Sequence, residues 1–86
     1  MTADLSATLE QRRSVHGDFT DHAAVTQALK DIARAAPSWA RMSPVAREAI
    51  DMILHKVGRA CAGNPDHADH WHDIGGYARL VEERLP

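Results

Sequence analysis

Apolar positions along this chain recur at the three-to-four-residue spacing of helices and nowhere at the two-residue alternation of strands. The clearest case is REAIDMILHKVGR, residues 47–59. At ~100° per residue, Ile50, Ile53, Leu54, Val57 and Cys61 gather on one side of such a helix. Glu48, Asp51, His55 and Arg59 gather on nearly the opposite side, with Lys56 at its edge. Ser43 is a natural N-cap and Pro44 a natural first helical residue, while Gly63-Asn64-Pro65 is a turn. The pattern therefore predicts a helix over 44–62.

Three further helices flank it. Residues 4–14 carry Leu5 and Leu9 on one side and are otherwise polar. Gly17 breaks that helix, Asp18 or Thr20 caps the next, and Phe19 is expected to anchor the loop to the core. Residues 21–35 place Ala24, Ala28, Ile32 and Ala35 at the spacing of a buried face, with Val25 and Leu29 beside them, and Pro37 follows the end. The last helix, capped by Asn64 or Asp66 and running to about residue 84, has an apolar stripe of Trp71, Ile74, Ala78, Val81 and Leu85. Asp69 and Asp73 fall on its other side. Gly75-Gly76 inside it costs roughly 1 kcal/mol per glycine relative to alanine, which is tolerable where something packs close to the backbone. Short connections favour antiparallel neighbours. The expectation is an all-α, four-helix, antiparallel bundle-like fold in a single domain over 1–86.

Composition narrows the function classes. With 86 residues the chain has little spare core, so completion by a second copy is expected. A formal charge of −2 supplies no broad attraction to nucleic acid. The single cysteine, Cys61, excludes an internal disulfide, and its place in the apolar stripe predicts a buried thiol. The first 13 residues lack the apolar centre of a signal peptide, and no apolar run approaches the ~20 residues of a membrane span. A cytoplasmic protein without a membrane partner is expected.

Three constellations carry candidate chemistry. Glu48 and Asp51 are one turn apart on the third helix, and Asp69 and Asp73 one turn apart on the fourth, across a tight turn. Carboxylates converging from two helices suit magnesium or manganese, since hard cations take oxygen ligands; the plain alternative is a pair of solvated helix faces. Lys56 and Arg59, with Arg47 nearby, would bind phosphate oxygens beside such a site; the plain alternative is helix-surface ion pairing. His55, His67, His70 and His72 are weaker zinc candidates, because no thiol pair accompanies them.

Taken together, RRSVHGDF and the run from residue 47 to 85 resemble a phage and prophage family of small MazG-like proteins. The resemblance rests on Arg12 or Arg13, His16, Gly17, Asp18, Phe19, Met52, Ile53, Lys56, Arg59, Asp69, Trp71, Asp73, Ile74, Gly76 and Tyr77, and spans residues 12–84. It implies an all-α nucleotide pyrophosphohydrolase, active as a homodimer or homotetramer, that cleaves nucleoside triphosphates to monophosphate and pyrophosphate. Carried over, Glu48, Asp51, Asp69 and Asp73 would hold Mg²⁺ or Mn²⁺. Glu48 would position the attacking water, and Lys56 and Arg59 would neutralise phosphate oxygens. His16, Asp18, Phe19 and Tyr77, or Trp39, would contact base or ribose. Two departures stand out: Asp51 replaces a glutamate of the superfamily form, and Asp69 and Asp73 are one residue further apart than its second pair. The rival from another class is a non-catalytic oligomeric adaptor or ligand binder on the same helices.

Overall fold

Local chemistry sets the helix boundaries. In the computed structural model, which describes residues 2–86, α1 spans Thr2–His16, α2 Phe19–Ala35, α3 Pro44–Ala62 and α4 Ala68–Glu82, with a 3-10 turn at Trp39–Arg41. Among the described residues there is no strand, so the fold is all-α. Asp18 caps α2, its carboxylate accepting from the Thr20 N–H at 3.2 Å. Ser43 caps α3, its hydroxyl accepting from the Ala46 N–H at 3.1 Å, with Pro44 at the first helical position. Both side chains satisfy donors that a helix start leaves unpaired. The 3-10 turn is held to α3 by Arg47, which donates to the Trp39 and Ala40 carbonyls and sets its guanidinium 5.7 Å from the Trp39 ring centre.

α3 is the central helix, with α2 along one side and α4 along another. The pairs are antiparallel: early α2 meets late α3 where Thr26 and His22 lie against Gly58, and Arg34 at the end of α2 meets Asp51 near the start of α3. On the other side Lys56 of α3 meets Asp73 of α4. Gly58 is required by packing, because a Cβ there would strike the Thr26 hydroxyl. α1 departs from the bundle. Leu5 and Leu9 on it are 61% and 56% exposed, and only its C-terminal end is tied to the rest. The molecule is accordingly elongated, 48 × 25 × 25 Å. Its radius of gyration is 14.9 Å, against about 12 Å for a compact chain of this length.

This arrangement overturns several expectations about faces. On α2 the buried residues are His22 and Thr26, whereas Ala24, Ala28 and Ala35 are exposed and Ile32 is 72% exposed. The close approach to Gly58 selects the Thr26 face, and the alanine face turns outward. On α4, Trp71 and Ala78 are exposed, and the inward row is His70, Ile74, Tyr77 and Val81; Leu85 lies beyond the helix end and is exposed too. Cys61 is exposed, not buried. α3 presents Ala49, Ile53, Lys56 and Ala60 as one row toward α4 and Asp51, His55 and Gly58 toward α2. The stripe Ile50, Leu54, Val57 and Cys61 falls between those rows, half-buried except for Cys61. Phe19 is 78% exposed and does not anchor the loop. Gly75 and Gly76 are exposed, and a Cβ on either would meet nothing; no close packing within this chain accounts for them.

Candidate functional site

One end of the molecule gathers four helix termini: the end of α1, the start of α2, the last turns of α3 and the start of α4. The junction is a backbone lock. Gly17 has φ +86, a conformation that costs an L-residue about 1–2 kcal/mol, and a Cβ there would collide with the Ala62 carbonyl. Gly63 meets the same segment from the other side, against His16 and Gly17. The Val15 carbonyl ties the pieces together, accepting from the Asn64 N–H at 2.9 Å and from His70 Nε2–H at 3.3 Å. That second bond places the His70 proton on Nε2, since a carbonyl only accepts.

The lock sets one face of α1 over the last turns of α3. Arg12 and His16, one turn apart, stand beside Arg59, and the three residues line two adjoining cavities. The first, of about 420 Å³, extends toward α2 and adds Leu9, Phe19, His22 and His55. Asp18 and Arg13 lie at it too. The second, of about 380 Å³, extends toward α4 and adds Lys56, His67, Asp69, His70 and Asp73.

Carboxylates reach this end unevenly: Asp73 is taken up by Lys56. Among the described residues neither Arg12 nor Arg59 forms an ion pair. Burial and then the Arg12 guanidinium lower the Arg59 pKa, with Asp73 opposing. His16 is lowered to about 4 by burial, Arg59, His70 and Arg12. His55 is lowered to about 4 by burial and by Arg59 and His22. His22 is also lowered, chiefly by burial, against a hydrogen bond to the Gly58 backbone. These three imidazoles are therefore neutral at pH 7, each able to donate at one nitrogen and accept at the other. The His22 and His55 rings meet edge to face at 4.7 Å. His16 Nδ1 is buried without a protein partner. The two guanidiniums face neutral rings and repel each other, Asp73 acts on Arg59 only from beyond ion-pair distance, and an anion between them would relieve the repulsion.

The expected site residues divide. His16, Asp18 and Arg59 share the first cavity, and Lys56, Asp69 and Asp73 are at the second. Lys56 Nζ is 2.9 Å from Asp73 Oδ2, and that bond holds the Asp73 carboxyl below its usual range. Asp69 is 3.7 Å from His67. Glu48 is exposed, and Asp51 is held by Arg34 at 3.3 Å on the α2 side of the molecule. The four carboxylates do not converge within one chain. Asp51 turns toward α2, Asp73 comes from α4, and about one and a half helical turns separate Asp51 from Lys56 along α3. Among the described residues no three His, Cys, Asp or Glu side chains are grouped to hold a metal ion. His16, His67 and His70 do cluster, with ring centres 4.9–6.3 Å apart. Tyr77 is outside both cavities, and Trp39 is packed on Arg47 beyond the far end of α3.

Two participants were given no site role by the sequence. Arg12 sat in a polar stretch, although its spacing from His16 already put both on one face of α1. His22 lay outside the apolar pattern, and only its i, i+4 relation to Thr26 hinted at a polar row. Compared with profiles of known protein families, with curated proteins and with solved structures, the chain matches none.

Proposed function

We propose that the protein binds a nucleoside triphosphate by its phosphates at the Arg12–His16–Arg59 junction and acts on it as a pyrophosphohydrolase. The observation that carries the binding half is the pair Arg12 and Arg59, neither in an ion pair among the described residues, at the wall shared by two cavities. Guanidiniums match phosphate oxygens in charge and in the geometry of their donors. Lys56 in the second cavity is the next cation along the same wall. The hydrolytic half rests on the resemblance to MazG-like proteins. Magnesium is implied by that resemblance, but the carboxylates of a single chain do not fit a magnesium centre, so no step is assigned to the metal. The second reading, a non-catalytic nucleotide binder, is favoured by one observation: Asp51 and Asp73 are both held by cations of their own chain.

A second copy of the chain belongs to the same proposal. The surface of 6110 Å² exceeds by about 1,000 Å² what a compact monomer of 9.5 kDa exposes, and a stable dimer covers about 800 Å² per partner. The stripe of Ile50, Leu54 and Val57 between the rows that meet α2 and α4 is the face it would cover. Light scattering during gel filtration tests this, and a monomer at 100 µM would end it.

The functional test is incubation with each NTP and dNTP, with and without Mg²⁺ or Mn²⁺, assayed for monophosphate and pyrophosphate, beside equilibrium binding of the same nucleotides. Metal-dependent release of pyrophosphate, lost in Arg59→Ala, supports the enzyme. Binding without turnover supports the binder. Absence of both sinks the phosphate site.

A further inference from the structure

α2, α3 and α4 form a single layer, and its two sides differ. The residues that meet the cavities mark one side. On α3 that residue is Arg59, and Ile50, Leu54 and Val57 point roughly 140–180° away from it around the helix. On α4, Asp73 lies about 70° to the cavity side of the inward row, and Trp71 and Ala78 lie about 70–90° to the other side. On α2, Phe19 lines a cavity and Lys30 acts on His55 within it. Val25 and Ile32 lie about 80–100° from the inward pair His22 and Thr26, on the opposite side. The side away from the cavities is therefore an apolar surface three helices wide. On it Ile32 is 72% exposed and Trp71 56%, and Ala78 is exposed.

A layer with one apolar side needs a second layer to make a core. Among the described residues only Ala49 and Ala60 are buried apolar side chains, so the chain alone has almost no core. Resting on the second-copy reading, we propose that this side of the α2–α3–α4 layer docks on the same side of a second copy, so that two layers share one core. The pair then stands back to back, with two cavity ends that open outward, each built from one chain. The resemblance to MazG-like proteins implies assembly but not the surface that makes it.

Several features fit a second copy. The surface in excess of a compact monomer, about 1,000 Å², matches the about 800 Å² that a stable dimer covers per partner. The missing core belongs to the fold itself, a need that an obligate pair of copies meets and a transient partner does not. By helical spacing, charged residues fall only at the ends of this side, Asp21 at one and Arg47 and Glu82 at the other. A dry middle with charge at its margin is the composition of an interface core, and it offers nothing to a strongly acidic or basic partner. Trp71 is already ordered for the role, because its indole N–H donates to the Pro65 carbonyl at 2.8 Å, and fixed aromatic side chains are frequent anchors of interfaces. Gly75, about 40° further round α4 than Trp71, lies at the margin, where an added methyl is accommodated.

Sedimentation equilibrium measures the dimer dissociation constant of wild type and of Ile32→Glu and Ala78→Glu on this side. Leu5→Glu and Leu80→Glu, at exposed leucines elsewhere, and Arg59→Ala serve as comparisons. Urea unfolding is read at low and high protein concentration. Wild type should be a dimer whose unfolding midpoint rises with concentration. Ile32→Glu and Ala78→Glu should each weaken it about a hundredfold or more, because a carboxylate is placed in an apolar contact. The three comparison variants should stay within about threefold. Where a glutamate abolishes folding, Ile32→Ser is read in its place, with about a tenfold loss expected. A dimer that the variants at Ile32 and Ala78 leave within threefold, or that Leu5→Glu or Arg59→Ala weakens more than they do, overturns this docking surface and leaves the second-copy reading standing. A dimer whose unfolding midpoint ignores concentration overturns the shared core. Wild type that is a monomer at 100 µM removes the second-copy reading together with this one.

Discussion

The two ends of α3 carry similar charged residues and are built differently. Near its start, Glu48 and Asp51 lie on a helix that only α2 and α4 flank; Glu48 meets solvent and Asp51 meets one arginine across 3.3 Å. Near its end, His55, Lys56 and Arg59 lie where α1, the α1–α2 turn and the start of α4 all close in. The same kinds of side chain are half-buried there, crowded against one another, and two of the imidazoles are lowered to about 4. A helix face gains chemistry when other elements take its water away, because charge interactions strengthen as solvent is excluded.

The comparison breaks most severely at Gly17. Gly17→Ala imposes a strained φ and drives a Cβ into the Ala62 carbonyl. A loss of about 3 kcal/mol or more is expected, enough to open the lock in so small a domain, as read by urea unfolding. An alanine that leaves the unfolding midpoint unchanged would show that the lock does not hold the cleft.

Next in size is the contrast between cations. Arg59→Ala should weaken tripolyphosphate binding by about tenfold or more, since a charged hydrogen bond contributes ~1.5–3 kcal/mol, while Arg34→Ala at the other end of α2 should leave it unchanged. Equal effects from the two arginines would reduce the cleft to overall charge. Arg34→Ala itself should cost at most ~1 kcal/mol of stability, as an exposed ion pair does.

Titration sharpens the same contrast. His16, His22 and His55 have folded pKa values below the ordinary 6.5, and those of His16 and His55 are about 4. The unfolded chain thus binds more protons between these values. Stability is therefore full above pH 6.5 and falls as pH drops from 6.5 toward 4. Inorganic phosphate at the Arg12–Arg59 wall should reduce that fall by compensating the charge on the imidazoles. Thermal unfolding against pH, in chloride and in phosphate, checks both; a melting temperature that rises on acidification would contradict the burial of these rings.

The smallest effect is at Gly75. Gly75→Ala meets no atom of its own chain, so it should stabilise α4 by about 0.5–1 kcal/mol. A loss of stability that grows with protein concentration would place a second copy against this helix.

The helices themselves were legible from local chemistry. Ser43-Pro44, Gly17, Pro37 and Gly63-Asn64-Pro65 mark boundaries by backbone and capping rules that need no distant partner. α2 shows why burial was not legible in the same way. Its alanines and Ile32 had the right spacing, yet Thr26 and His22 are buried, because Gly58 on another helix leaves room for a close approach only at that face. The candidate site followed the same rule. Lys56, Arg59, His16 and Asp18 could be named from the chain, but their grouping with Arg12, His22 and His55 depends on the α1 end closing over α3 through Val15, Gly17 and Gly63. The sequence by itself determined that the chain is helical, where α2 and α3 are capped and which residue types were at hand. The start of α4 was not legible, since His67 and not Asn64 or Asp66 precedes it, while Asn64 is used in the turn, accepting from the Asp66 N–H. Only the tertiary structure decided which faces lost water and which charges were left without partners, because both depend on residues far apart in the chain.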